Sequence, residues 1–197
     1  MNRREALAGM IGGGLGALAP AGAGAAHPVH RHLANAAAVD AARQASSAPE
    51  WSPAFLSTHQ SDTLTAVAER MVPGSTEAGV NRFVDKLLTV DTQDAQRKFL
   101  EALSAFEAAA LQRFGRPFLG LSASEQDAIL EALEKASPST PAEGDRAEAE
   151  PARHFGHLKG WISGAYYSSE IGMRELGWTG NTFFQAFPGC THPGGHD

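Results

Sequence analysis

Beyond residue 60 the apolar residues of this chain recur at intervals of three and four, which places them on one face of a helix. Leu64, Val67, Ala68, Met71 and Val72 form the first stripe. Ser61 or Asp62 stands ahead of it as a cap, and Pro73-Gly74 ends it. After the turn Gly74 to Gly79, the spacing returns in Val80, Phe83, Val84, Leu87 and Leu88. A longer stripe of Phe99, Leu103, Phe106, Ala110 and Phe114 follows a cap at Asp91 or Thr92 and runs to Gly115 and Pro117. Its large side chains predict a buried central helix. Ser122-Ala123-Ser124-Glu125 has the form of a capping box, in which hydroxyl and carboxylate each satisfy the other's backbone donor, and Ile129, Leu130 and Leu133 come after it. The last periodic segment runs from Ala152 to Leu176, with Phe155, Leu158, Ile162, Ala165, Met173 and Leu176 inward and Glu170 four residues before Arg174; Gly177 closes it. No stretch sustains period-two alternation and no repeat is evident. The pattern therefore predicts an all-α domain, a compact bundle of about five helices.

Between and beyond these stripes the pattern lapses. Residues 27–50 are rich in Ala, Ser and His with little periodicity, so they predict a flexible arm with one weak helical turn around Ala36 to Arg43. Trp51, Phe55 and Leu56, clustered around Pro53, are placed to pin the end of that arm to the domain spanning residues 51–197. Ser137 to Pro151 combines proline with charged and hydroxyl residues and predicts a long polar loop. From Gly177 on, the chain is rich in glycine and aromatics and predicts an irregular tail.

The first 26 residues have a separate logic. Arg3-Arg4 precede a weakly apolar, glycine-broken run from Ala6 to Ala19, and Pro20 and the small residues Ala21 to Ala26 follow. That is the layout of an export signal cut near Ala25 or Ala26. The run is too short and too glycine-rich for a comfortable span, which needs roughly 20 apolar residues. The paired arginines and low hydrophobicity fit the twin-arginine route, whose cargo crosses the membrane folded. A periplasmic destination follows as an expectation.

Composition narrows the partners. The chain has 197 residues and a formal net charge of −6. An acidic chain without a basic block is poorly suited to nucleic acid, where phosphate neutralisation supplies most of the affinity. Cys190 is the single cysteine, so no internal disulfide is available and the core must hold the fold. No glycine-rich phosphate loop follows a strand, and no residue pair stands out as general acid and base. The expectation is a chain with no catalytic, cofactor or metal site of its own. An alternative is a small metalloprotein: His154 and His157 lie at i and i+3, and Cys190, His192 and His196 lie near the end. Their spacing matches no standard zinc pattern, and His27, His30 and His32 fall in the arm. Aromatic residues carry a stronger signal, because Trp161, Tyr166, Tyr167, Trp178, Phe183, Phe184 and Phe187 crowd into the last fifth of the chain. With Cys190 they form the expected partner interface, large anchors on a glycine-rich backbone.

Four stretches then carry a resemblance. They are Leu64-Thr65-Ala66-Val67-Ala68-Glu69-Arg70-Met71-Val72-Pro73, Ala78-Gly79-Val80-Asn81-Arg82-Phe83-Val84-Asp85, Tyr166-Tyr167-Ser168-Ser169-Glu170-Ile171-Gly172 and Pro188-Gly189-Cys190-Thr191-His192. Together with the leader, they resemble the gluconate 2-dehydrogenase subunit 3 family over roughly residues 55–192. The resemblance implies an accessory subunit of a membrane-associated sugar or polyol dehydrogenase. Its large partner would be a glucose-methanol-choline type flavoprotein carrying FAD, in some complexes joined by a multihaem cytochrome c subunit. It further implies that the small subunit binds the flavoprotein as a chaperone and that its leader takes both through the twin-arginine translocase.

Overall fold

The computed structural model describes residues 28–135 and 150–178. Among the described residues there are seven α-helices, two 3-10 segments and no strand, so the all-α reading holds with more helices than the five expected. After a 3-10 segment at Pro28–His32 come α1 (Ala36–Ser47), α2 (Thr58–Met71), α3 (Val80–Leu88) and α4 (Gln93–Phe114). A second 3-10 segment, Phe118–Gly120, leads to α5 (Ala123–Lys135), α6 (Glu150–Tyr167) and α7 (Glu170–Glu175).

Local chemistry sets the boundaries. Ser57 and Gln60 form a reciprocal capping box at the start of α2, a turn earlier than the expected cap. Ser61 is instead buried inside the helix, where its hydroxyl accepts from Asn81 Nδ2 at 3.1 Å. The Ser57-x-x-Gln60 spelling is the stronger signal because both partners of the box are present. Thr92 caps α4 by accepting from the Ala95 N–H, as one of the two expected choices. Ser122 and Glu125 exchange the expected bonds at α5.

The core gathers on α4 and α6. Phe99, Phe106, Leu158, Trp161 and Ile162 have no exposed surface, and Leu64, Val67, Val84, Leu87 and Leu88 cover them from α2 and α3. The rings of Phe106 and Phe155 stack with centroids 6.5 Å apart, while Phe118 meets Phe106 edge-on at 6.2 Å. Such pairs contribute on the order of 1 kcal/mol beyond their buried area. Asp85 on α3 is buried, yet fully employed: its carboxylate accepts from the N–H groups of Ala54 (2.8 Å), Phe55 (3.0 Å) and Leu56 (2.8 Å). This fastens the segment before α2 to α3. Phe55 and Leu56 pack on the core, and Arg82 lies over the Trp51 ring at 5.5 Å, so this cluster does pin the chain as expected.

Two expectations need correction. Residues 28–47 are not a loose arm but a packed strap. Val29 and Ala42 are buried, Val39 and His32 nearly so, and Arg31 pairs with Asp91 while lying 5.1 Å from the Trp161 ring centroid. The strap packs through the scattered residues Val29, His32, Val39 and Ala42, which a search for sustained apolar stripes passes over. The single helix expected over 152–176 is also two helices. Ser169 interrupts it by capping α7, accepting from the Gly172 N–H at 3.1 Å and donating to the Tyr166 carbonyl at 2.6 Å. Helix α6 starts at Glu150, so the last two residues of the expected polar loop are helical and the rest of that loop lies outside the described residues.

Candidate docking face

Helices α6 and α7 meet at a corner that separates two adjacent tyrosines. Tyr166 continues the Leu158, Ile162 and Ala165 stripe and is buried; Tyr167, one residue on, is 42% exposed. Their rings meet edge-on at 5.3 Å. Burial, and next a hydrogen bond with the Glu175 carboxylate, push the Tyr166 phenol up to about 12. The turn after Pro73 closes over it: Gly74 has φ +92°, and a Cβ there would lie 3.3 Å from the Tyr166 hydroxyl. Glu69 holds that turn by accepting from the N–H groups of Gly74 (2.9 Å) and Thr76 (2.8 Å). These backbone bonds keep its carboxyl below the usual glutamate range.

Past α7 the chain reverses at Gly177, with φ +82°. The Gly177 N–H donates to Arg174 O at 2.9 Å and the Trp178 N–H to Met173 O at 3.0 Å, the pair of bonds that defines a Schellman ending. That ending leaves Leu176 66% and Trp178 38% exposed. Leu176 was expected inward, but the break at Ser169 changes the phase of the helix that carries it. Three large apolar side chains, Tyr167, Leu176 and Trp178, are thus presented around α7. Isolated exposed apolar residues are ordinary, and Leu33, Val90, Leu111 and Leu119 are exposed as well; Tyr167 and Trp178 are the exposed large aromatics among the described residues, the side-chain type that interfaces favour.

The expected interface residues divide accordingly. Tyr167 and Trp178 are exposed here. Trp161 and Tyr166 are corrected to core residues, since Trp161 meets Phe99 edge-on at 5.7 Å and lies under the strap. Their phase with Leu158, Ile162 and Ala165 was the available sequence signal. Phe183, Phe184, Phe187 and Cys190 lie outside the described residues, as do Arg3 and Arg4 of the leader.

A groove of about 250 Å³ between α2, α5 and α6 is lined by Arg70, Asp127, Glu134, Phe155 and Lys159. Its charges pair across it, Arg70 with Asp127 at 3.2 Å and Lys159 with Glu134 at 3.4 Å. His154 and His157 are half-buried on α6, while Cys190, His192 and His196 lie outside the described residues. Burial first, and then the charges of Arg31, Lys98 and His154, hold the His157 imidazole below its usual range. Among the described residues, no three His, Cys, Asp or Glu side chains converge as a metal site, and no helix is long and apolar enough to cross a membrane.

Fold and surface define, among the described residues, a small all-helical domain with two exposed aromatics, Tyr167 and Trp178, on either side of α7 in the chain. Residues 58–189 match the family described as gluconate 2-dehydrogenase subunit 3, and the chain belongs to that family. Its description is that of a subunit, which associates its members with a dehydrogenase assembly. The match spans α2 to α7 and both tyrosines of the corner. No curated protein and no solved structure matches the chain.

Proposed function

We propose that this chain is a non-catalytic small subunit that escorts a flavoprotein dehydrogenase out of the cytoplasm. The large partner is a glucose-methanol-choline type enzyme of FAD-dependent sugar, polyol or gluconate oxidation. The small subunit holds it in a folded, flavin-loaded state and supplies the twin-arginine leader that the pair uses. The complex then works at the periplasmic face of the membrane, passing electrons onward, in some assemblies through a multihaem cytochrome c subunit. FAD belongs to the partner and haem to the third subunit. In this chain, Arg3-Arg4 address the translocase and the exposed Tyr167, Leu176 and Trp178 dock the flavoprotein, with the aromatic tail continuing from them.

The observation that carries this reading is the family match across the helical domain. The paired arginines and the corner of exposed anchors support it. The test is to exchange Arg3-Arg4 for Lys-Lys in cells making both subunits and to assay dehydrogenase activity in separated compartments. Activity should collapse in the periplasm and remain in the cytoplasm. Periplasmic activity at the normal level would contradict the proposal.

A further inference from the structure

Helix α7 has six residues, and isolated helices shorter than about a dozen residues are marginal in water. It also gives little to the core. Gly172 is buried and Ile171 packs partly against the core, while Arg174, Glu175 and the following Leu176 are exposed. What orients this helix lies at its two ends, and both ends meet the same residue.

At the start of α7 the Tyr166 carbonyl accepts from the Ser169 N–H at 3.0 Å and from the Ser169 hydroxyl at 2.6 Å. The same hydroxyl oxygen accepts from the Gly172 N–H at 3.1 Å. Gly172 is pressed so closely here that a Cβ would lie 2.3 Å from the Tyr166 carbonyl oxygen and 3.0 Å from Cδ1 of its ring. At the far end of α7 the Tyr166 hydroxyl hydrogen-bonds with the Glu175 carboxylate. That hydroxyl is itself held in place, because the Gly74 turn closes over it and Glu69 fixes the turn. Beyond Glu175 the links are short: the Trp178 N–H donates to Met173 O at 3.0 Å, so Trp178 moves with α7.

We propose that Tyr166 is the positioning residue of the docking corner: its carbonyl and its hydroxyl together hold α7 in the pose that presents Leu176 and Trp178, beside Tyr167, to the flavoprotein. Tyr166 is buried and does not itself reach the partner. Without the hydroxyl, the last turn of α7 swings on its remaining attachment, and the partner must order that segment as it binds, which weakens binding. Glu175 is exposed, so removing the hydroxyl leaves no buried group unpaired and the helical body keeps its stability.

The inference rests on the docking reading given above, and the test separates the two. Tyr166→Phe, Glu175→Ala and the double variant are made in the tagged full chain and co-expressed with the large subunit. Flavin absorbance retained on the immobilised chain is followed through washing, which gives a release rate. Amide exchange at Met173, Leu176 and Trp178 is measured on each chain alone. Each single variant should release the flavoprotein roughly tenfold faster than wild type, the effect of leaving one or two large side chains to be ordered on binding. The three amides should exchange faster in both, at a melting temperature close to that of wild type. The double variant should be no worse than either single one, because all three remove the same link. Glu175→Gln, which keeps an acceptor oxygen, should release at the wild-type rate. Unchanged release in Tyr166→Phe, losses that add in the double variant, or faster release that merely follows a lowered melting temperature would overturn the positioning role and leave the docking reading standing. A wild-type chain that retains no flavoprotein would overturn the docking reading and this inference with it.

Discussion

Nε2 of His157 and Nε1 of Trp161 are buried without a hydrogen-bond partner, four residues apart on α6 and both beside the strap. For His157 this has a thermodynamic consequence. Its imidazole resists protonation, chiefly through burial and then through Arg31 of the strap, Lys98 of α4 and His154 of α6, with Asp91 opposing them. The folded chain therefore takes up this proton less readily than the unfolded chain. The associated stability is present above the ordinary histidine range and is lost as pH falls through it. Between pH 7.5 and 5.5 the wild-type melting temperature should fall by more than that of His157→Gln. That window lies above the range of Glu69, whose carboxyl is held low and whose linked stability is lost only under more acid conditions. Parallel pH curves for the two proteins would remove His157 as the cause. The sequence made some residue-scale features plain and concealed others. The Ser122–Glu125 box was readable because its partners are three residues apart. The triple acceptor role of Asp85 was not, because its donors at Ala54, Phe55 and Leu56 lie about thirty positions earlier.

At the scale of elements, large apolar stripes were dependable guides. Helix α3 occupies Val80–Leu88, and α4 buries Phe99, Leu103, Phe106 and Ala110 as their spacing required. Helix α1 was legible only as a weak helical turn at Ala36 to Arg43, because its buried positions, Val39 and Ala42, carry no large side chain to mark a period. What α1 uses instead is close approach. Gly79, with φ +64°, sits against the backbone of Ser46, and a Cβ there would collide with the Ser46 carbonyl oxygen. The left-handed backbone alone costs a side chain roughly 1–2 kcal/mol. Gly115 is the natural control, since it has φ +66° and open space around it. Gly115→Ala should therefore cost about 1–2 kcal/mol in urea unfolding, whereas Gly79→Ala should cost clearly more and loosen α1. Equal costs would mean that the α1–α3 contact contributes little. The α6–α7 corner shows the opposite limit of stripe reading. The period carried on through Ser168-Ser169, but the Ser169 cap and the close fit of Gly172 on the Tyr166 carbonyl end one helix and begin another.

For the whole molecule, the all-helical class and the family were both legible, because they depend on features distributed along the chain. Burial within the aromatic-rich stretch was legible only in part. Aromatic crowding is visible in composition, but composition does not say which ring faces inward; the packing against Phe99 and the turn at Gly74 decided that for Trp161 and Tyr166. The central claim is that this helical body grips a flavin-bearing partner through the residues left outside. Replacing Tyr167, Leu176 and Trp178 together by serine removes no buried side chain but gives up the edge-on contact of Tyr167 with Tyr166, so stability should fall by about 0.5 kcal/mol per site and on the order of 1 kcal/mol more for that ring pair. The most direct measurement is the visible absorption spectrum of material recovered with the affinity-tagged full chain from cells expressing the large subunit. A flavin band should accompany the wild-type chain and be lost with the triple variant recovered folded and at equal yield. A colourless wild-type preparation, or a flavin band undiminished by the triple substitution, would contradict the account.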